Sequence, residues 1–169
     1  MTASIVDSGA AHPRVLAAFR DAGWSPGAPA PGEPPIHPES WRFVLHPRAV
    51  DVVFELGGRT VEGPRGRIRF ALDSAFELQV TTAPDDLADD VRDILWGEPG
   101  YPVGEGGGKV LYLAEDGRAA LIDQTLCGYV RGPDLGTVLD WLLFDAEIPG
   151  IEHRAVAQGW RVTGRPMPP

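Results

Sequence analysis

The stretch from Tyr101 to Asp123, YPVGEGGGKVLYLAEDGRAALID, constrains the fold more than any other part of this sequence. It holds three short apolar runs, at 101–104, 109–114 and 119–123, separated by turn-forming residues. Runs of that length bounded by Gly, Asp and Pro are strands. The EDG turn at 115–117 predicts a hairpin between the last two, and a tight hairpin joins only antiparallel strands. Side chains alternate along a strand, so Val110 and Tyr112 are expected on one face of the sheet, and Leu111 and Leu113 on the other.

The glycines of VGEGGGKV (103–110) raise the question of phosphate binding. A phosphate-binding P-loop needs G-x-x-x-x-G-K-[ST] followed by a helix, whose N-terminus receives the anion. Gly108 and Lys109 match its end, but Val103 stands in place of the first glycine and Val110 in place of the magnesium-binding hydroxyl. A β-run, not a helix, comes next in the chain. The dinucleotide fingerprint fails as well, because Lys109 stands where the last glycine should be. The stretch reads as a glycine turn feeding a core strand.

Helices are expected on either side of these strands. Val15, Leu16, Phe19 and Ala22 share one helical face, with Pro13 at the first helical position, so a helix is predicted from Pro13 to Ala22. Gly23 then supplies a left-handed stop, and Trp24 is placed to pack back on Phe19. The six prolines of residues 25–38 make an extended loop. A second helix is expected between Glu39 and Leu56, broken near Pro47, with Val50, Val53 and Leu56 or Phe54 inward and Gly57-Gly58 as its end. The β-branched content of 50–56 keeps a strand as the alternative there. GRIRFAL (66–72) and FELQVTT (76–82) alternate as half-buried strands. A third helix is expected from Pro84 to Trp96 with Leu87, Val91, Ile94 and Leu95 inward, and a last one over 133–144 with Leu135, Val138, Leu139, Leu142 and Leu143 inward. HRAVAQGWRV, from His153, adds a short helix or strand, and GRPMPP frays. The expected fold is α+β, a central mainly antiparallel sheet flanked by N-terminal, middle and C-terminal helices. Residues 1–12 form a loose leader, 13–144 a single domain, and 145–169 a partly frayed C-terminal extension.

Charge and residue chemistry narrow the function. The chain has 169 residues and a formal net charge of −9, which disfavours direct nucleic-acid binding unless a basic patch exists. The densest basic group, Arg65, Arg67 and Arg69, falls on one strand face and reads as solvated. No apolar run approaches the ~20 residues a membrane span needs, and the first thirty residues carry no secretory pattern, so a cytoplasmic location is expected. The single cysteine, Cys127, fits a reducing compartment and a packed role. His12, His37, His46 and His153 lack metal-ligand spacing, and no nucleophile or cofactor motif is present. The helix at 84–96 is acidic: Asp85, Asp86, Asp89, Asp90 and Asp93, with Glu98 beyond it, form a candidate partner-binding face. Trp41, Trp96, Trp141 and Trp160 are candidate interface anchors, although helical spacing puts Trp96 and Trp141 at core edges.

The order of these pieces carries a resemblance. AGWSPG (Gly23, Trp24, Pro26, Gly27) ends the first helix, and ELGG (Gly57, Gly58) ends the second. An acidic helix then precedes YPVGE (Pro102, Gly104, Glu105), the hairpin with Asp116 and Gly117, and LGTVLDWLL with Trp141. Over roughly residues 13–144 this resembles the third family of the SUKH superfamily, found largely in actinobacteria. Ala28 and Arg59 depart from its pattern, which has Arg after "PG" and an apolar residue after "GG". The resemblance implies a non-enzymatic immunity protein, without cofactor or metal, that neutralises a cognate polymorphic toxin by binding it. An acidic face suits a basic, nuclease-like toxin domain. Two other readings are an interaction or regulatory module on the same fold without a toxin, and a small enzyme or ligand-binding protein whose pocket groups His46 or His153 with carboxylates.

Overall fold

The run KVLYLA becomes strand β4 (Lys109–Ala114), and its residues from Val110 to Ala114 are all buried. A strand hidden on both faces needs a layer on each side of its sheet. The computed structural model describes residues 12–30, 43–71, 86–145, 147–156 and 163. Among these, a seven-stranded antiparallel sheet runs in simple sequence order with four helices packed against it. The strands are β1 (Thr60–Glu62), β2 (Arg67–Arg69), β3 (Gly100–Gly106), β4, β5 (Ala119–Asp123), β6 (Gly128–Gly132) and β7 (Glu152–Ala155). The helices are α1 (Pro13–Asp21), α2 (Pro47–Leu56), α3 (Leu87–Ile94) and α4 (Leu135–Leu143). The fold is α+β. None of its helices is long and apolar enough to cross a membrane.

Register sorts the central side chains as alternation requires. Tyr112 stands opposite Pro102 and Ala120, and Val110 opposite Ile122; Leu111 stands opposite Gly104 and Leu121, and Leu113 opposite Tyr101 and Ala119. The Tyr112 face is covered by α3 and by Phe43, whose ring centroid is 5.5 Å from that of Tyr112. Gly100 lies on this face because a Cβ there would run into a Leu95 methyl and stand 2.8 Å from a Val91 methyl. The other face is covered by α4, where Gly132 faces Val138 and Gly106 faces Leu142. The two layers bury β4 from Val110 to Ala114 and β5 from Ala119 to Ile122, while the turn residues Glu115 and Asp116 stay exposed.

Local chemistry fixes the helix ends. At the end of α1 the Gly23 N–H donates to Arg20 O (2.9 Å) and the Trp24 N–H to Phe19 O (2.9 Å), a Schellman stop with Gly23 at φ +83°. Trp24 packs edge-on to Phe19 at 5.9 Å, and its indole N–H donates to Glu55 of α2 at 3.1 Å. Asp134 caps α4 by accepting from the Thr137 N–H at 2.8 Å. All five residues expected inward on α4 are buried.

Several elements differ from expectation. The second helix begins at Pro47, not Glu39; the proline that looked like a break occupies the first helical turn, where its missing N–H costs nothing. Residues 39–42 lie outside the described residues. The helix is rotated relative to the expected face, with Ala49, Val52, Val53 and Leu56 inward, while Val50 and Phe54 are 46% and 47% exposed. The third helix is shorter than 84–96: Pro84 and Asp85 lie outside the described residues, and Trp96 falls beyond the helix end, with φ +56°. Arg65 precedes β2, and its guanidinium lies over the Trp141 ring and donates to Trp141 O, so only Arg67 and Arg69 share the strand face. Strands β1 and β6 were not expected. β7 ties residues 152–155 into the same sheet by pairing with β6, which makes part of the C-terminal extension an edge strand. His12, placed in the leader, is hydrogen-bonded to α4. The strand expected at 76–82 and the terminal GRPMPP fall outside the described residues.

Candidate functional site

The acidic face of α3 is smaller than its sequence suggests. Asp89 and Asp93 are exposed and one turn apart, so they share a side; Asp89 pairs with Arg92 at 3.2 Å. Asp90 does not belong to that side. It is fully buried, and its carboxylate accepts from the Thr163 hydroxyl at 2.7 Å, a bond that holds residue 163 against α3. The reason is position: Asp90 sits one residue before Val91 and three after Leu87, on the inward stripe. Asp86 occupies the N-cap position without a side-chain cap, and Asp85 lies outside the described residues. Glu98 pairs with Arg118 at 3.6 Å.

Apolar exposure concentrates elsewhere. Five large hydrophobic side chains are exposed among the described residues, and four of them (Val44, Leu45, Val50 and Phe54) lie on α2 or in the segment entering it. Val50 and Phe54 are one helical turn apart and face the same way. The fifth, Trp96, is held between two guanidiniums, Arg131 at 4.0 Å and Arg118 at 5.3 Å from its ring centroid. Arg131 is fixed in turn by Glu152 of β7 (2.6 Å) and by Ile94 O at the end of α3 (2.7 Å). Trp141 is half-buried under Arg65, and Trp41 and Trp160 lie outside the described residues.

The histidines and the cysteine are built into the scaffold or separated. His46 caps α2: its Nδ1 accepts from the Ala49 N–H (3.2 Å) and its Nε2 donates to Leu113 O (2.9 Å), the pattern of the Nε2–H tautomer. His153 is exposed on β7, far along the sheet from β4. The sheet therefore keeps these two histidines apart, and His46 spends both ring nitrogens on backbone groups. His12 has Nδ1 3.1 Å from Asp140 and Nε2 3.2 Å from the Thr137 hydroxyl, and Arg14 donates to the same Asp140 at 2.5 Å. Asp–His–Thr in a row has the outline of a nucleophilic triad. However, Thr137 is 4% exposed and also donates to Asp134 at 3.0 Å, so its hydroxyl is committed to the α4 cap. The cluster fastens α1 to α4. Cys127 is half-buried, with its N–H donating to the Asp123 carboxylate that shapes the β5–β6 turn. Among the described residues no group of three or more His, Cys, Asp or Glu side chains could hold a metal ion.

The motif residues behind the resemblance serve backbone geometry. Gly23, Gly27, Gly58 and Gly117 have positive φ. Gly58 donates to Phe70 O at 2.7 Å, and Gly57 to Val53 O at 2.9 Å. Gly104 lies against β2, where a Cβ would be 2.7 Å from Arg69 O; Pro102 precedes it across a shift in the β3–β4 register. Glu105 faces Arg69 across the β2–β3 ladder. Asp116 accepts from the Arg118 side chain at 2.6 Å. Pro26 and Ala28 lie in the turn after Trp24. The departure at Arg59 has a structural use: it donates to Ala22 O at 3.2 Å and Glu55 O at 3.4 Å, bridging the ends of α1 and α2.

One cleft stands out. It encloses about 480 Å³ and is lined by Thr60, Arg67, Arg69, Glu105, the Gly106–Gly108 turn and Lys109. Sequence reading separated these groups, because the arginines lie nearly forty residues before the glycines; the pairing of β2 with β3 brings them together. No family model, curated protein or solved structure matches this chain.

Proposed function

We propose that this chain is a cytoplasmic, non-enzymatic immunity protein of the SUKH type that binds and neutralises a cognate polymorphic toxin. The observation that carries the reading is the apolar exposure centred on α2. Val50 and Phe54 are displayed on an otherwise well-packed helix, flanked by Val44 and Leu45. Clustered exposed apolar side chains mark interaction surfaces, and aromatic anchors dominate interface energetics. Support also comes from the motif order: AGWSPG and ELGG end helices α1 and α2, YPVGE lies in β3, and the following hairpin turns at Asp116 and Gly117. A standard interface buries about 1,600 Å² in total, more than one helix offers, so the acidic pair Asp89 and Asp93 or a loop would have to join it. Acidic side chains at the rim would favour a basic toxin domain and speed its association.

The test is co-expression with the toxin domain encoded beside this gene. Protection of the host cell is expected, with formation of a stable complex. Phe54→Asp should abolish protection while leaving the unfolding midpoint close to that of the parent, since the side chain is half exposed. Failure to protect, or full protection by Phe54→Asp, overturns the proposal or its surface respectively. Recovery of housekeeping proteins in place of a toxin would favour the interaction-module reading.

A further inference from the structure

The glycine stretch that fails as a P-loop forms one wall of the cleft described above, and the facing wall is basic. Arg67 and Arg69 are two residues apart on β2, so their side chains leave the same face with α-carbons about 7 Å apart. Arg67 is exposed, and its side chain makes no hydrogen bond or ion pair with the described residues. Lys109, the only lysine of the sequence, closes the cleft at the start of β4 with a single long contact, 3.4 Å to Gly107 O. Glu105 is the one carboxylate among the described lining residues, so cations outnumber it in a chain whose net charge is −9.

The turn between the walls carries no side chains. Gly107 and Gly108 have φ +60° and +72°, the paired positive values of a type I′ hairpin. Gly106 is demanded by packing, since a Cβ there would lie 2.5 Å from Arg67 O. A bare backbone of this kind lets a ligand approach closely. A volume of about 480 Å³ lies within the usual range for small-molecule sites, about 300–1,000 Å³.

We propose that this cleft binds a compact phosphate-bearing anion, held by the guanidinium of Arg67 with Arg69 beside it, while Lys109, which leaves β4 on the opposite face from Val110, adds positive charge from the hairpin end. Guanidinium forks match phosphate oxygens in pairs, and the lysine adds a point charge. Thr60 supplies a hydroxyl on the β1 side. No aromatic ring is present among the described lining residues, so the phosphate itself, rather than a stacked base, is the recognised group. The site is separate from α2 and does not depend on the immunity reading.

The single lysine makes the test direct. Reductive methylation with isotope-labelled formaldehyde places NMR reporters on Lys109 and the terminal amine only, and Lys109→Arg identifies the lysine signal. Titration with inorganic pyrophosphate at low salt should shift that signal saturably, with millimolar or tighter affinity. Arg67→Ala should weaken binding by at least about tenfold, as loss of a charge-assisted contact requires. Arg20→Ala, an exposed change on α1, should leave it unaltered. Circular dichroism confirms that each variant keeps its fold. The proposal is overturned by the absence of saturable shift up to about 10 mM pyrophosphate, by equal weakening in Arg20→Ala, or by citrate binding as tightly as pyrophosphate.

Discussion

Replacing Tyr112 by Phe should make this protein more stable, against the usual direction of a core substitution. Tyr112 is fully buried in the central strand, and its hydroxyl is buried with no hydrogen-bond partner among the described residues. A buried polar group left unpaired costs about 1–3 kcal/mol of desolvation. The Tyr112→Phe variant keeps the ring, its contact with Phe43 and its place against Gly100, and removes one oxygen only. A gain of about 1–2 kcal/mol at neutral pH is expected, which for a chain of this length raises Tm by about 2–4 °C per kcal/mol. Burial also pushes the Tyr112 phenol well above its ordinary range. In the unfolded chain the phenol ionises near pH ~10, whereas in the folded protein it keeps its proton. The folded state then binds the extra proton, so stability falls as pH rises past about 10, by up to ~1.4 kcal/mol per unit from this residue. A phenylalanine side chain has no proton to lose, so the variant escapes this decline. Urea unfolding followed by tryptophan fluorescence at pH 7 and through pH 9–11 (approximate settings on either side of the phenol's ordinary range) measures both effects. The variant should be more stable throughout, with a gap that widens above about pH 10. A variant less stable than its parent at neutral pH would show that the hydroxyl has a stabilising partner. A gap that stays constant through the alkaline range would show that the phenol ionises in the folded state. Either result refutes the reasoning.

Other substitutions probe the framework that carries the sites. Gly106→Ala should destabilise by about 1–3 kcal/mol, because its Cβ would meet the Arg67 carbonyl at 2.5 Å and backbone cannot step aside; denaturant midpoints measure it. His46→Ala removes the α2 cap and the bond to Leu113 O, and should cost about 1–3 kcal/mol by the same assay. Asp140→Ala removes the carboxylate that holds both His12 and Arg14, leaving His12 only its Thr137 contact to α4, and leaves α1 less protected; hydrogen exchange in residues 13–21 should rise ahead of exchange in β4.

The sequence determined the elements that depend on neighbours within a few residues. The stop after α1 was legible because Gly23 and Trp24 act on the helix that precedes them. The β4–β5 hairpin was legible because a turn sequence and two alternating runs adjoin. The buried stripe of α4 follows from helical spacing alone. Short strands were harder: TVE and GYVRG have too little pattern of their own, and only the ladder beside each makes it a strand. The inward face of α2 could not be read, since every residue from Val52 to Leu56 except Glu55 is apolar, and the choice among faces belongs to the layer it packs on. The same holds for the partner of Asp90: helical spacing puts Asp90 on the inward stripe, but the Thr163 hydroxyl it accepts from is distant in sequence. The basic cleft is the clearest case. Arg67, Arg69 and Lys109 read separately as a solvated strand face and the end of a failed P-loop. Pairing of β2 with β3 places them around one cavity, because charge density in space is set by strand register and not by distance along the chain.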